Sequence, residues 1–180
     1  MFLKYLRFWM RSKNQHGVHS PFVYDFVTRC LYRSNPKIKT NHTELSSKQL
    51  RLLLKVVDYF DVKCIASDVS QLADVLQTHG FTLPVTHFPP TAKTEKFDLV
   101  LLHQATEKIS VEGLLRLLKN DSILIINNIH SHKNKALWNE LVNHPLVSVS
   151  IDVFRQGYIF IRREQRKEHF TLRMPLAFIF

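Results

Sequence analysis

Apolar residues recur at helical spacing through the first third of the chain, and from residue 61 they gather into short runs separated by turn residues. Phe2 to Arg11 predicts a helix with Phe2, Leu6 and Trp9 on one face and Lys4, Arg7 and Arg11 on the other. Ser20-Pro21 pairs an N-cap residue with a first-turn proline and opens a second helix, running to about Tyr32. That helix carries Phe22, Phe26 and Cys30, with Val23, Val27 and Leu31 beside them. Arg33 to Glu44 contains Pro36 and many polar residues, and predicts a loop. Ser46 with Gln49 forms a capping box for a third helix that turns Leu50, Leu53, Leu54 and Val57 inward.

The second part alternates strands with helices. Val62–Ser67 reads as a strand followed by a helix from Asp68 to His79, with Gly80 as its C-cap. Val85–Phe88, stopped by Pro89-Pro90, and Phe97–His103 read as the next strands. A helix from Ser110 packs Val111, Leu114, Leu115 and Leu118, and Ser122–Asn128 is a strand buried on both faces. A helix over Lys135–Asn143 leads to Val147–Phe154, a turn at Arg155-Gln156-Gly157, and Tyr158–Arg163, an antiparallel hairpin closing one edge. The pattern predicts an α/β domain over residues 61–180 with a largely parallel sheet, preceded by a basic helical segment over residues 1–60. The end, Pro175-Leu176-Ala177-Phe178-Ile179-Phe180, is apolar enough to pack on the core or on a partner, and with an exposed hairpin it points to self-association.

Composition adds limits. With 45% hydrophobic residues and 13 phenylalanines the chain has the means to bury a core. No apolar run approaches the roughly 20 residues that span a bilayer. The first eleven residues are broken by charge and lack the uncharged centre of a secretory signal. Cys30 and Cys64 lie in apolar patterns and read as small buried hydrophobes, which fits a reducing, cytoplasmic setting. Of the net charge of +10, residues 1–60 hold 11 Lys and Arg against 3 Asp and Glu, so an anionic partner is in question. Lys4, Arg7, Arg11 and Lys13, interleaved with Tyr5, Phe8 and Trp9, read first as the solvated face of a docked helix; nucleic acid or an anionic membrane surface is the alternative. His130 and His132 stand two apart with no neighbouring cysteine or carboxylate, and read as loop histidines rather than metal ligands. His16 and His19 flank Gly17 and read as a turn, or as groups closing over a cleft.

The junction after the first strand carries the sharpest signal. In nucleotide-binding α/β domains a glycine-rich turn there lets backbone approach the cofactor and aims helix amides at it. The chain has four glycines, and the junction, Ala66-Ser67-Asp68-Val69-Ser70-Gln71, contains none of them.

The segment His16-Gly17-Val18-His19-Ser20-Pro21-Phe22-Val23-Tyr24-Asp25-Phe26-Val27 resembles the N-terminal signature of a bacterial branch of class I S-adenosylmethionine-dependent methyltransferases found in Bacteroidetes-type genomes. Asn120-Asp121-Ser122-Ile123-Leu124-Ile125-Ile126-Asn127-Asn128-Ile129, the stretch from Trp138-Asn139-Glu140 to Val153, and Glu164-Gln165-Arg166-Lys167-Glu168-His169-Phe170 are similar to the same branch. The resemblance implies a Rossmann-like methyltransferase sheet, shortened by one strand–helix unit within residues 61–96. It also places departures on the chemistry. Ala66 stands where the family has an acid, Asp68 where it has the first glycine, and Thr86-His87-Phe88-Pro89 where a carboxylate holds the cofactor ribose. His103 and Gln104 replace an aspartate and a glycine, and Asn127 and Asn128 replace paired acids. Ser67, Asp68, His103, Gln104, Asn127 and Asn128 are therefore the candidate cofactor-site residues, with no catalytic residue assigned. The reading that follows is a catalytically impaired methyltransferase-fold protein acting as a binding or partner subunit, with no cofactor expected. The alternatives are an active enzyme holding S-adenosylmethionine in an unusual loop, with Asp68 and Ser67 on the cofactor and Asn127 or His103 on substrate, and a nucleic-acid-binding protein using the basic helices.

Overall fold

A computed structural model describes residues 2–34, 37–38, 44–90, 95–105 and 109–175. The helices are α1 (Phe2–Arg11), α2 (Pro21–Asp25), α3 (Ser47–Tyr59), α4 (Leu72–Thr78), α5 (Val111–Arg116) and α6 (His132–Asn143). The strands are β1 (Ile65–Ser67), β2 (Val85–His87), β3 (Phe97–Leu102), β4 (Leu118–Asn127), β5 (Val149–Asp152), β6 (Gln156–Phe160) and β7 (Glu168–Thr171). They form one sheet in the order β2-β1-β3-β4-β6-β5-β7. Only β6 runs antiparallel to its neighbours, so the sheet is mostly parallel with an antiparallel hairpin near its C-terminal side.

Strand alternation divides the interior in two. Ile65, Leu99, Leu101, Ile123, Ile125, Tyr158 and Phe160 face α2, α3 and α4, joined by Val23, Phe26, Leu53, Val57 and Leu76 in one cluster. Val100, Leu102, Leu124, Ile126 and Ile159 face α5 and α6, where Leu114, Trp138 and Leu141 meet them. Both faces of the central strands are covered, which is why β3 and β4 read as continuous apolar runs. Phe26 centres the first cluster, with the rings of Tyr59, Phe60, Tyr158 and Phe160 between 5.4 and 5.9 Å away.

Local signals explain most element ends. The Ser46 hydroxyl accepts from the Gln49 amide while the Gln49 side chain accepts from the Ser46 amide, the reciprocal box expected from sequence. Ser20, Ser110 and Ser131 cap α2, α5 and α6 in the same way on one side. The second helix reaches Tyr32 as expected, but its latter half, Phe26–Leu31, widens into π geometry. There the Tyr32 amide donates to the Val27 carbonyl, and the ammonium of Lys55 on α3 donates to the carbonyls of Leu31 and Arg33.

Several expectations are corrected. On α1 the face carrying Leu6 and Trp9 does not dock; Phe8 is buried, and its ring and that of Tyr5 lie 5.2 and 4.9 Å from Phe154. Helix α4 begins at Leu72 rather than Asp68, because the intervening residues loop across toward β3. Strand β1 is three residues long, and β4 starts at Leu118, four residues early. Leu118 therefore belongs to the sheet rather than to α5. The hairpin turn falls at Val153–Arg155, with Phe154 at φ 72, and Gly157 lies within β6. Its lack of a side chain admits the Trp138 indole from α6. The hairpin is not an edge either, since β7 pairs with β5 in parallel outside it. Cys30 is buried and its thiol is pushed up to about 12 by burial, whereas Cys64 is only partly buried, beside Asp98. Residues 35–36 and 39–43 of the predicted loop and residues 176–180 of the apolar end lie outside the described residues.

Two outcomes follow from this packing. Gly157→Ala drives a methyl into the Trp138 ring and should lower unfolding free energy by about 1–3 kcal/mol in a urea titration. Burial also pulls the Lys55 ammonium down to about 8 from 10.5. Between those values the unfolded chain holds a proton that native Lys55 has released, so stability through this group rises with pH across that window. Wild type should gain stability relative to Lys55→Met between pH 8 and about 10, measured as paired urea midpoints.

Candidate functional site

The chain turns from β1 outward to β2, then returns past β1 to β3 and β4, so the direction of winding reverses between β1 and β3. Carboxyl ends of strands at such a reversal are where open α/β sheets bind ligands. Ser67, His103 with Gln104, and Asn127 with Asn128 stand at or just past the ends of β1, β3 and β4, so the sequence-chosen residues share one edge.

Asp68 spans the reversal. Its Oδ1 accepts from the His103 amide at 2.7 Å and its Oδ2 from the Gln104 amide at 2.8 Å. Both carboxylate oxygens thus take the amides that follow β3, in charge-assisted bonds about twice as strong as neutral ones. Ser67, fully buried, accepts from the Val69 amide at 3.1 Å and tightens the same turn. Gln71 ends the turn in the left-handed region at φ 56, a conformation that glycine adopts freely. The backbone keeps a glycine-like bend there, with Ser67 and Val69 buried before it.

The end of β4 is tied down by neutral amides. Asn127 is fully buried; its Oδ1 accepts from Gln156 Nε2 at 2.7 Å, and its Nδ2 lies 3.4 Å from His103 Nδ1. Asn134, at the start of α6, donates through Nδ2 to the His103 and Asn127 carbonyls and accepts through Oδ1 from the Ala105 amide at 2.8 Å. Gln156 also donates to the Gln49 carbonyl and accepts from the Tyr158 hydroxyl at 2.9 Å. Burial holds the Tyr158 phenol well above its ordinary range, so it remains a donor. Asn128 points away from Asn127: at φ 50 its amide donates to the Arg155 carbonyl, and its Oδ1 accepts from Gln49 Nε2 at 3.1 Å. Gln49 therefore serves the capping box and this network with one side chain.

The residues that sequence reasoning missed are Gln49, Asn134 and Gln156. Gln49 was legible only as a cap and Gln156 only as a turn residue; burial beside Asn127 is what joins them. His130 sets Nε2 2.9 Å from Asp152 Oδ2, next to the Phe154 and Phe8 rings, and His132 is the exposed first residue of α6. Among the described residues no three of His, Cys, Asp or Glu stand together as a metal site. His16 lies in a 3-10 turn at Gln15–Gly17, where its amide donates to Asn14 Oδ1; His16 and His19 are both exposed. A cleft of about 670 Å³ opens elsewhere, between α3, the π-helical segment and the end of α4; Arg29, Arg33, Lys55, Asp58 and His79 line it, and no strand end contributes.

The donors and acceptors at this edge are largely engaged within the protein. Asp68 and Ser67 have partners within the protein, β2 ends in Thr86-His87 without a carboxylate, and at the β4 end the side-chain oxygens of Asn127 and Asn128 accept from Gln156 and Gln49. Asp68→Ala should lower stability by about 1–3 kcal/mol in chemical denaturation, since two amides lose a charged acceptor. Gln104→Ala, which keeps the same backbone amide, should stay within about 0.5 kcal/mol of wild type. No protein-family model matches the chain, and no curated protein sequence matches it.

Proposed function

We propose that the chain is a Rossmann-like, methyltransferase-like protein that has given up its cofactor site and acts as a binding or partner subunit. Support for the fold reading comes from strand order: dropping the third strand from the doubly wound order 3-2-1-4-5-6 gives the run β2-β1-β3-β4 found here. Support for lost methyl transfer rests on one observation above all. The Asp68 carboxylate occupies the amides past β3 that border the junction, in the place where this fold type keeps glycine and open space. The β4 end adds to it, because Asn127 and Asn128 supply shape without the charge that metal binding or proton abstraction requires.

The remaining readings fit less well. An active enzyme would need Asp68 and Ser67 to release their internal partners before meeting a cofactor. Nucleic-acid binding by base stacking would need free aromatic faces on α1, where Phe8 and Tyr5 turn inward onto Phe154 and the exposed Trp9 ring already has the Arg173 guanidinium over one face. The two free cysteines fit a reducing, cytoplasmic setting.

Calorimetric titration with S-adenosylmethionine and S-adenosylhomocysteine tests the proposal. No heat of binding up to millimolar ligand is expected; binding at micromolar concentration overturns it.

A further inference from the structure

Helix α1 is fastened to the sheet in an unusual rotation. Phe8 and Tyr5 pack on Phe154, and Phe8 also meets the His130 ring at 6.0 Å. The chain just beyond is stitched to β7, with the Lys13 amide donating to the Thr171 carbonyl and the Arg173 amide to the Lys13 carbonyl. Arg173 completes the clamp: its guanidinium donates to the Ser12 carbonyl at 2.8 Å and lies 4.9 Å over the Trp9 ring.

Docking through Phe8 leaves the other apolar arc in water. Trp9, Leu6, Met10 and Leu3 follow one another over about 120° of the helix, at 3.6 residues per turn. Met10 is 65% and Leu3 70% exposed, and Leu6 and Trp9 are also exposed. Surface helices normally turn such an arc to the core. Cations border it: Arg7, Arg11 and Lys4 continue the circuit beyond Leu3, and Arg173 stands at the Trp9 side. None of Lys4, Arg7 and Arg11 forms an ion pair among the described residues.

We propose that α1 is a membrane-surface anchor: its Leu3–Leu6–Trp9–Met10 arc enters the interface of an anionic lipid bilayer while Lys4, Arg7 and Arg11 hold the headgroups. The apolar strip selects this occupant over nucleic acid, for which aliphatic side chains offer nothing to a phosphate backbone, and over a second copy of the chain, whose own cations would face these. Such helices lie in the plane of the interface, with aliphatic and Trp residues at the acyl boundary and Lys and Arg at the charged surface. The proposal stands independently of whether the carboxyl edge of the sheet binds a cofactor.

Trp9 reports on it directly, because the only other tryptophan, Trp138, is buried between α6 and the sheet. The full chain is mixed with vesicles of phosphatidylcholine alone or with phosphatidylglycerol added, and binding is read by flotation and by Trp9 emission. Co-flotation and a shift to shorter wavelength are expected with the anionic vesicles only. Lys4→Gln/Arg7→Gln/Arg11→Gln should weaken partitioning about a hundredfold, at about fivefold per charge. Leu6→Glu/Met10→Glu, changed only at exposed positions, should abolish co-flotation with the thermal transition retained. No flotation of wild type, undiminished flotation of Leu6→Glu/Met10→Glu, a concentration-dependent Trp9 shift without vesicles, or tighter binding to mixed-sequence duplex DNA than to the vesicles would each overturn the proposal.

Discussion

A carboxylate placed against two backbone amides ties β1 to β3 at the carboxyl edge of the sheet. Asp68 leaves the end of β1, crosses the reversal of the sheet, and accepts from His103 and Gln104 just past β3. Backbone amides that follow a strand at such an edge need acceptors, and a ligand is one source. Here the chain supplies its own. Because Asp68 is drawn sideways, the turn after it runs on through Val69 and Ser70 to a left-handed Gln71, and α4 cannot begin before Leu72. The seven-residue length of α4 is a consequence of the same bond.

The rest of the carboxyl edge obeys the same rule with neutral groups. Asn127, Asn134, Gln49, Gln156 and Tyr158 are joined by hydrogen bonds to one another and to His103 between α3, β4, β6 and α6. A carboxylate at Asn127 would be buried beside the Gln156 amide and the His103 ring, with no lysine or arginine among its hydrogen-bond partners. Such a network rigidifies a core more readily than it performs chemistry. The proposed loss of methyl transfer and the packing of the sheet edge are thus two views of one arrangement.

Much of the fold was legible from periodicity and caps. Buried strands β3 and β4 announce themselves as apolar runs, and Ser46 with Gln49 marks the start of α3 without ambiguity. What escaped has physical reasons. Helix α1 carries two apolar arcs, and spacing alone does not say that Phe8 and Tyr5 find an aromatic partner in Phe154 while Leu6 and Met10 do not. Strand β7, Glu-His-Phe-Thr, is a half-exposed edge and lacks an alternating pattern. Gly157 drew the hairpin turn toward itself, although its small size serves Trp138. At the site, the missing glycines were visible in the sequence, but the partners of Asp68 were not. Backbone amides 35 and 36 residues away leave no mark in the identity of their side chains.

Amide hydrogen exchange at His103 and Gln104, resolved by NMR, measures the central bond without mutation. The account predicts slow exchange at both amides and resonances that do not move when S-adenosylhomocysteine is added. Exchange at the rate of an unprotected loop, or shifts of both resonances with the nucleoside, would contradict it.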